Sequence, residues 1–226
     1  MSKTVHPANS RTLILWGGVL AAICVVGTVA VAMRVRSLAS TPVAAAAKSM
    51  KAGNLEIGAT MPDIAFTAAD GARHQLSEFL GAKPFTAVTF THPDCPCAAS
   101  CGKLIAEMGR EGYDDVQVIG ILPVDWDNKR VLTALDEQRA EGVVTYPVYQ
   151  DRDGSARKLL GATRTPEMWL LDREGKVVFY GAPENTLFPG SPGHRFLLRE
   201  AVDALRAGRR PEVETYKPIG CAIEGA

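Results

Sequence analysis

The sequence predicts an α/β domain with a mixed central sheet, preceded by one transmembrane helix. From Ile57 onward, short apolar segments rich in β-branched residues alternate with segments of helical spacing, and no internal repeat interrupts them. The expected order is strand, helix, strand, helix, hairpin, helix, which is typical of a sheet with helices packed on it. The N-terminal segment differs in composition, because a long run without charge precedes the domain.

Each element of the domain is predicted from its local pattern. Buried strands are expected where apolar and β-branched residues run together, and helices where apolar residues recur three and four positions apart. Arg173-Glu174-Gly175 separates two apolar runs and predicts a hairpin. The predicted strands are 62–66, 87–91, 116–122, 146–149, 167–172 and 176–181, and the predicted helices are 75–80, 101–108, 128–141, 156–160 and 194–206.

Residues 12–33 carry no charged side chain and are bracketed by arginines. A helix that spans a bilayer needs about 20 apolar residues, whereas the apolar region of a cleaved signal peptide is usually about 7–15 residues long. The run therefore predicts an uncleaved membrane anchor, with residues 1–11 as a cytoplasmic tail. Residues 34–55 are predicted to be a linker, and the small residues at 42–47 keep cleavage as the alternative.

The rest of the chain is predicted to hold one domain, residues 56–207, and a C-terminal tail, residues 208–226, that contains Cys221. The formal net charge is zero, so no basic surplus is available to neutralise phosphates, which argues against a nucleic-acid binder. Five cysteines in 226 residues are too few for a disulfide scaffold, which favours a functional role for a subset of them.

Three of the five cysteines, Cys95, Cys97 and Cys101, lie where a predicted strand is followed by a predicted helix. The first turn of a helix presents unpaired N–H groups and partial positive charge, which stabilise a thiolate and lower its pKa. Proline suits the first helical position, so Pro96 places Cys95 at the cap and makes it the predicted nucleophile. The Asp94 carboxylate is expected to oppose this effect and to raise the pKa of the neighbouring thiol.

Four segments carry a resemblance to a known family: GATMPDIAFTAADGARHQLSEFLG, FTAVTFTHPDCPC, GATRTPEMWLLDREGKVVFYG and HRFLLREAVDALRAGRRPEVETYKPIGCAIE. In that order they resemble the opening, the active-site loop, the cis-proline segment with its hairpin, and the Gly-Cys tail of redoxins. Redoxins are a branch of the thioredoxin fold that includes the TlpA/ResA-type reductases and the peroxiredoxins. The resemblance implies a thioredoxin-like, three-layer α/β/α domain.

The resemblance also implies roles for individual residues. Cys95 and Pro96 match the first half of the Cys-Pro-x-Cys motif of TlpA/ResA-type proteins, whereas Ala98 stands where the second cysteine belongs. Pro166 matches the cis-proline that packs against the active-site sulfur in this family. Glu167 follows it as an acidic residue that is able to assist proton transfer.

The sequence allows three arrangements for the pair of cysteines that takes part in the exchange reaction. Cys95 and Cys97 are two positions apart, so a disulfide between them would close a small, strained ring. Cys97 and Cys101 share a helix face near the upper distance limit for a disulfide, a spacing that also suits two soft metal ligands. Cys221 lies in a tail that is able to reach back and resolve a sulfenic acid or a mixed disulfide.

The leading prediction is a membrane-anchored thiol–disulfide oxidoreductase that acts on disulfide- or dithiol-containing proteins and uses no cofactor. Because disulfide exchange suits an oxidising compartment, the domain is expected on the periplasmic side of the cell membrane. The predicted catalytic residues are Cys95, Cys97, Cys101, Pro166, Glu167 and Cys221.

Two other functions are kept as alternatives. A copper chaperone resembling the Sco type would use Cys97, Cys101 and His92 as ligands, because soft thiolates select Cu(I). A peroxiredoxin-like antioxidant peroxidase would need a threonine three residues before the reactive cysteine. His92 occupies that position, and Thr91 is one residue too far away.

Overall fold

The computed structural model describes residues 51–123, 128–186, 188 and 190–223. The predicted cytoplasmic tail, the predicted membrane helix and most of the predicted linker lie outside these residues. Within the part of the chain that is described, no helix is both long enough and apolar enough to cross a bilayer.

The described chain contains eleven strands, four α-helices and one short 3-10 helix at Leu76–Glu78. The strands are β1 (Lys51–Ala52), β2 (Leu55–Glu56), β3 (Ala65–Thr67), β4 (Arg73–Gln75), β5 (Phe85–Phe90), β6 (Val116–Leu122), β7 (Val148–Gln150), β8 (Arg164–Thr165), β9 (Glu167–Leu171), β10 (Val177–Gly181) and β11 (Cys221–Ala222). The helices are α1 (Pro96–Arg110), α2 (Lys129–Ala140), α3 (Ser155–Leu160) and α4 (Leu197–Arg206).

Seven strands form the central sheet in the order β10-β9-β5-β6-β7-β3-β4. The neighbours β5, β6 and β7 run parallel, and the other neighbouring pairs of this sheet are antiparallel. Parallel neighbours need a long crossover, and α1 and α2 lie in the two crossovers. The α/β class and the mixed central sheet predicted from the sequence are therefore confirmed.

Helices cover both faces of the sheet and produce three layers. The helices α1, α2 and α4 contribute to the core on one face, whereas α3 and the 3-10 helix contribute to the core on the other. Successive residues of β9 alternate between the two cores, with Met168 in the first and Trp169 in the second. All of β9 is buried, so this strand offers a rigid support for the residues that precede it.

Local hydrogen bonds explain where the elements depart from the predicted boundaries. The strand predicted at 62–66 begins only at Ala65, because the Ile64 amide donates to the Pro62 carbonyl at 2.8 Å and forms a turn. The last helix begins at Leu197 instead of at position 194. The strand β4 was not predicted, since its residues Arg-His-Gln show no apolar alternation.

Segments on both sides of the predicted limits of 56–207 pack onto the domain. In the predicted linker, the amide of Asn54 donates to the carbonyl of Leu160 at 3.0 Å. In the predicted tail, the amide of Tyr216 donates to the carbonyl of Tyr180 at 2.9 Å, and β11 then pairs with β8. These segments join the domain because their backbone groups find partners at its edges.

Candidate active site

Cys95 lies at the N-terminal cap of α1, where the sequence predicts it. Its backbone is extended, with φ −95° and ψ 111°, and Pro96 begins the helix. The Cys95 amide donates to the carbonyl of His92 at 3.0 Å, which closes the turn between β5 and the helix. The Cys95 side chain is only 2% exposed, so its sulfur is buried at the positive end of the helix dipole.

The segment before β9 lies against this sulfur. The Thr165–Pro166 peptide bond is cis, as the resemblance implies. The Cys95 thiol donates a hydrogen bond to the carbonyl oxygen of Thr165 over 3.0 Å, although the two residues are 70 positions apart. Two segments that are distant in sequence thus meet at the predicted nucleophile.

Glu167 holds this segment in place from inside the protein. The side chain is fully buried, and its Oε2 accepts hydrogen bonds from the amides of Thr163 at 2.8 Å and Arg164 at 3.0 Å. Its Oε1 accepts a hydrogen bond from the Tyr180 hydroxyl at 2.6 Å. Since its carboxylate oxygens are engaged in this way, the contacts support a positioning role for Glu167, and proton transfer by this residue stays a prediction.

The C-terminal strand β11 brings a second cysteine to the same place. Cys221 is paired with Thr165 in an antiparallel register, and the amide of Ile223 donates to the carbonyl of Thr163 at 3.0 Å. Gly220 approaches so closely that a Cβ there would lie 2.1 Å from the Thr165 carbonyl oxygen. The tail is therefore a fixed part of the site and carries Cys221 to Cys95.

Three sulfur atoms converge at this point. The Sγ atoms of Cys95, Cys97 and Cys221 all lie within 4.8 Å of one another. Cys101 is not a member of this group, because it is buried in the core with residues such as Ile105 of the same helix. The structure therefore brings together three of the four predicted cysteines.

The thiols of this group influence one another's ionisation. Burial raises the pKa of Cys95, but hydrogen bonds from the Cys221 thiol and from the Thr165 side chain outweigh burial, and the net pKa lies below the ordinary thiol value. Burial and the hydrogen bond to Cys95 raise the pKa of Cys221 to about 12. Burial, followed by the charge of Cys95, raises the pKa of Cys97. The three thiols thus favour a single thiolate, located on Cys95.

A cavity of about 390 Å³ opens beside Cys95 and Cys221. Its lining includes His92, whose Nδ1 accepts a hydrogen bond from the Asp94 amide at 3.1 Å. Burial lowers the pKa of His92, so this imidazole is neutral at pH 7. The carboxylate of Asp94 forms an ion pair with Arg130 at 3.3 Å, and the pKa of Cys95 is lowered by its hydrogen bonds instead of raised by Asp94.

A pair formed by buried Glu184 and partly buried His194 lies near Pro166 and was not predicted. Glu184 Oε2 is 2.9 Å from His194 Nε2, and the Ser100 hydroxyl lies 3.5 Å from the other carboxylate oxygen. Cys97, Ser100, Pro166 and Glu184 line one small pocket. The two members of this pair lie ten positions apart in the segment between β10 and α4. No local pattern in the sequence indicates that they meet.

A model of the Redoxin family matches residues 56–189, which is more than half of the chain. The chain belongs to the Redoxin family. Its domain has the thioredoxin-like α/β fold with a mixed sheet that the resemblance implies. No curated protein matches the chain.

Two solved structures superpose over most of the chain. A hypothetical protein from Sinorhizobium meliloti is 26% identical, with a TM-score of 0.61, and the match covers 79% of this chain and 99% of that one. An uncharacterized conserved protein from Geobacillus kaustophilus is 21% identical, with a TM-score of 0.63 and coverage of 80% and 97%. The latter comparison concerns the fold alone.

Gly220→Ala is expected to loosen β11. Gly220 has φ +136°, and an added Cβ would also lie 3.2 Å from Pro166 Cδ. Backbone strain of this kind costs roughly 1–3 kcal/mol, which corresponds to amide hydrogen exchange faster by about 5- to 150-fold at Ile223. Gly208→Ala is the matched control, because Gly208 has φ +68° but nothing lies within 4 Å of its Cβ position. Equal exchange in both variants would contradict the close approach of the tail.

Cys221→Ala is expected to raise the pKa of Cys95, because the thiolate loses a hydrogen-bond donor. The measurement is the pH dependence of iodoacetamide alkylation of the reduced protein, followed on the Cys95 peptide by mass. In the unmodified chain, the pH at which the alkylation rate is half-maximal should lie below the ordinary thiol pKa of 9.0. Cys221→Ser keeps a donor and should shift the profile less. An unchanged profile in Cys221→Ala would show that Cys221 does not stabilise the Cys95 thiolate.

Proposed function

We propose that the protein is a thiol–disulfide oxidoreductase in which Cys95 is the nucleophile and Cys221 is the resolving cysteine. The observation that carries the proposal is the convergence of the Cys95, Cys97 and Cys221 sulfurs within 4.8 Å at the start of α1. A thiolate is favoured on Cys95 by the helix N-terminus and by its hydrogen-bond donors. The Redoxin family match is consistent with this chemistry.

The reaction begins when the Cys95 thiolate attacks one sulfur of a disulfide in a partner protein. A bond forms between Cys95 and that sulfur, the partner's S–S bond breaks, and the released sulfur takes up a proton. The loss of negative charge from Cys95 makes it easier for Cys221 to lose its own proton, because the two thiols no longer compete for ionisation.

The second step releases the partner. The Cys221 thiolate attacks Cys95 Sγ, the mixed disulfide breaks, and the partner leaves as a dithiol while a Cys95–Cys221 disulfide forms. Two electrons pass from this chain to the partner. The same steps in reverse oxidise a dithiol partner, and a dithiol or disulfide redox protein resets the pair. The potentials of the two couples set the direction.

Cys221 is preferred to Cys97 as the resolving cysteine for a geometric reason. Cys97 is the second residue of α1, and only Pro96 separates it from Cys95, so a disulfide between them would close a small ring at the helix start. Cys221 belongs to another strand and approaches Cys95 without that restriction. Cys101 is buried in the core and has no such access.

The peroxidase alternative receives less support from the site. Thr91 is buried, and its side chain hydrogen-bonds Tyr146. The position three residues before Cys95 is His92, whose Nδ1 is engaged by the Asp94 amide. A hydroxyl that orients a peroxide next to Cys95 is therefore not supplied from either position.

Exchange activity is tested with a disulfide-linked fluorescent peptide pair as substrate. Cys95→Ser should lower the rate by at least about a hundredfold, because a hydroxyl is a far weaker nucleophile than a thiolate. Cys221→Ser should instead accumulate a covalent adduct between Cys95 and one peptide, visible by intact mass. Cys101→Ala is the control and should keep its activity. Adduct accumulation in Cys97→Ser but not in Cys221→Ser would assign the resolving role to Cys97.

We also propose that residues 12–33 anchor the chain in the cell membrane with the domain on the periplasmic side. The uncharged run supports this arrangement, and so does the oxidising environment that a disulfide-forming site needs. The full-length chain is expected to sediment with membranes and to resist extraction at alkaline pH. A thiol reagent that cannot cross membranes should label Cys97 in intact spheroplasts, and protection until lysis would contradict this orientation.

A further inference from the structure

The three-sulfur group has a geometry that disulfide exchange does not require. Exchange needs two sulfurs, but Cys97 is a third whose Sγ lies within 4.8 Å of both others. Its sulfur is half-buried and faces the same centre from the second residue of α1, while Cys95 approaches from the helix cap and Cys221 from β11. Three backbone positions thus direct soft donor atoms to one point.

We propose that Cys95, Cys97 and Cys221 form a three-thiolate binding site for Cu(I). Sulfur ligands about 2.3 Å from a metal ion at the centre of a triangle lie about 4 Å from one another, estimated from zinc–thiolate bond lengths. The sulfurs already lie within 4.8 Å of one another, so each separation differs from this spacing by no more than about 0.8 Å at that limit. Cu(I) is the soft cation that thiolates select and that accepts three ligands.

The number of available donors favours Cu(I) over zinc. Structural zinc sites hold four protein ligands, most often in tetrahedral arrangements of cysteine and histidine. Among the described residues, no histidine, carboxylate or fourth cysteine joins the three sulfurs. His92 lines the adjacent cavity, but it is not a member of the group. The described residues therefore supply every ligand of a trigonal ion, whereas a tetrahedral ion would need a fourth ligand from outside them.

The surroundings of the site partly balance its charge. Three thiolates and one monovalent cation leave two negative charges, and the N-terminal amides of α1 present partial positive charge beside them. Arg164 also lies next to β11, where its guanidinium donates to the carbonyl of Gly220 at 3.2 Å. Binding releases the protons of those thiols that are still protonated and transfers no electron. It needs all three thiols reduced, so Cu(I) and a Cys95–Cys221 disulfide exclude each other.

This ligand set differs from the one predicted from the sequence. The copper alternative used Cys97, Cys101 and His92, because two cysteines four positions apart share a helix face. In the structure, Cys101 packs into the core, and Cys221 from the tail takes its place in the group. Only the pairing of β11 with β8 reveals this third donor.

The test uses the full-length, reduced chain without oxygen, with Cys24→Ser in every sample so that the fifth cysteine adds no sulfur. Cu(I) is supplied as its bathocuproine disulfonate complex, and transfer to the protein is followed by the loss of chelator colour. We expect one Cu(I) per chain and X-ray absorption that reports three sulfur neighbours. Cys97→Ser and Cys221→Ser should each leave two sulfurs and weaken binding by at least about tenfold.

Cys101→Ala is the matched control and should bind as the parent does. Two sulfur neighbours in the parent chain would overturn the proposal, as would unchanged affinity in both Cys97→Ser and Cys221→Ser or tighter binding of Zn²⁺ than of Cu(I). The parent spectrum does not depend on whether a variant folds. The outcome is also separate from disulfide exchange, because a chain that binds Cu(I) through three sulfurs but exchanges no disulfides would refute only the proposed oxidoreductase function.

Discussion

The contact between Cys95 and Thr165 is the interaction on which the rest of the site depends. The two residues meet because β5 and β9 are neighbours in the sheet, with Phe90 opposite Glu167 at the point where β5 ends and β9 begins. The chain that leaves β5 toward α1 and the chain that enters β9 therefore emerge at the same sheet edge. A fully buried β9 supports both, so the position of the sulfur is set by the core of the domain.

Thr165 connects the nucleophile to the tail. Its carbonyl accepts the hydrogen bond of the Cys95 thiol, and its backbone also pairs with Cys221. Glu167 holds the segment that contains Thr165 in place by accepting hydrogen bonds from the amides of Thr163 and Arg164. A change in any of these contacts therefore alters the distance between Cys95 and Cys221. This dependence explains why a buried carboxylate that does not touch a sulfur in the structure is still part of the site.

Most of the fold but only part of the site was predictable from the sequence. The difference arises because the fold is marked by local patterns, whereas the site is built by residues far apart in the sequence. The strand at 116–122 was predicted to the residue, because burial on both faces leaves a run that is mostly apolar. The position of Cys95 was also predictable, since a proline at the first helical position is a local pattern. The pairing of β8 with β11 joins two strands of two residues each, and no periodicity marks segments so short. The convergence of Cys221 with Cys95 was therefore only one of several alternatives.

Electrostatics explains why only one of three cysteine sulfurs this close together is readily ionised. Two thiolates within 4.8 Å of each other repel by at least roughly 3.5 kcal/mol at an effective dielectric constant of about 20, which corresponds to about 2.5 pKa units. Burial and this repulsion both raise the pKa values of Cys97 and Cys221, whereas hydrogen bonds to the Cys95 sulfur lower its pKa. A second thiolate becomes affordable only when the first is converted to a disulfide or when a cation lies between them. The same crowding that makes Cys95 reactive therefore also makes the reduced site suited to a soft metal ion.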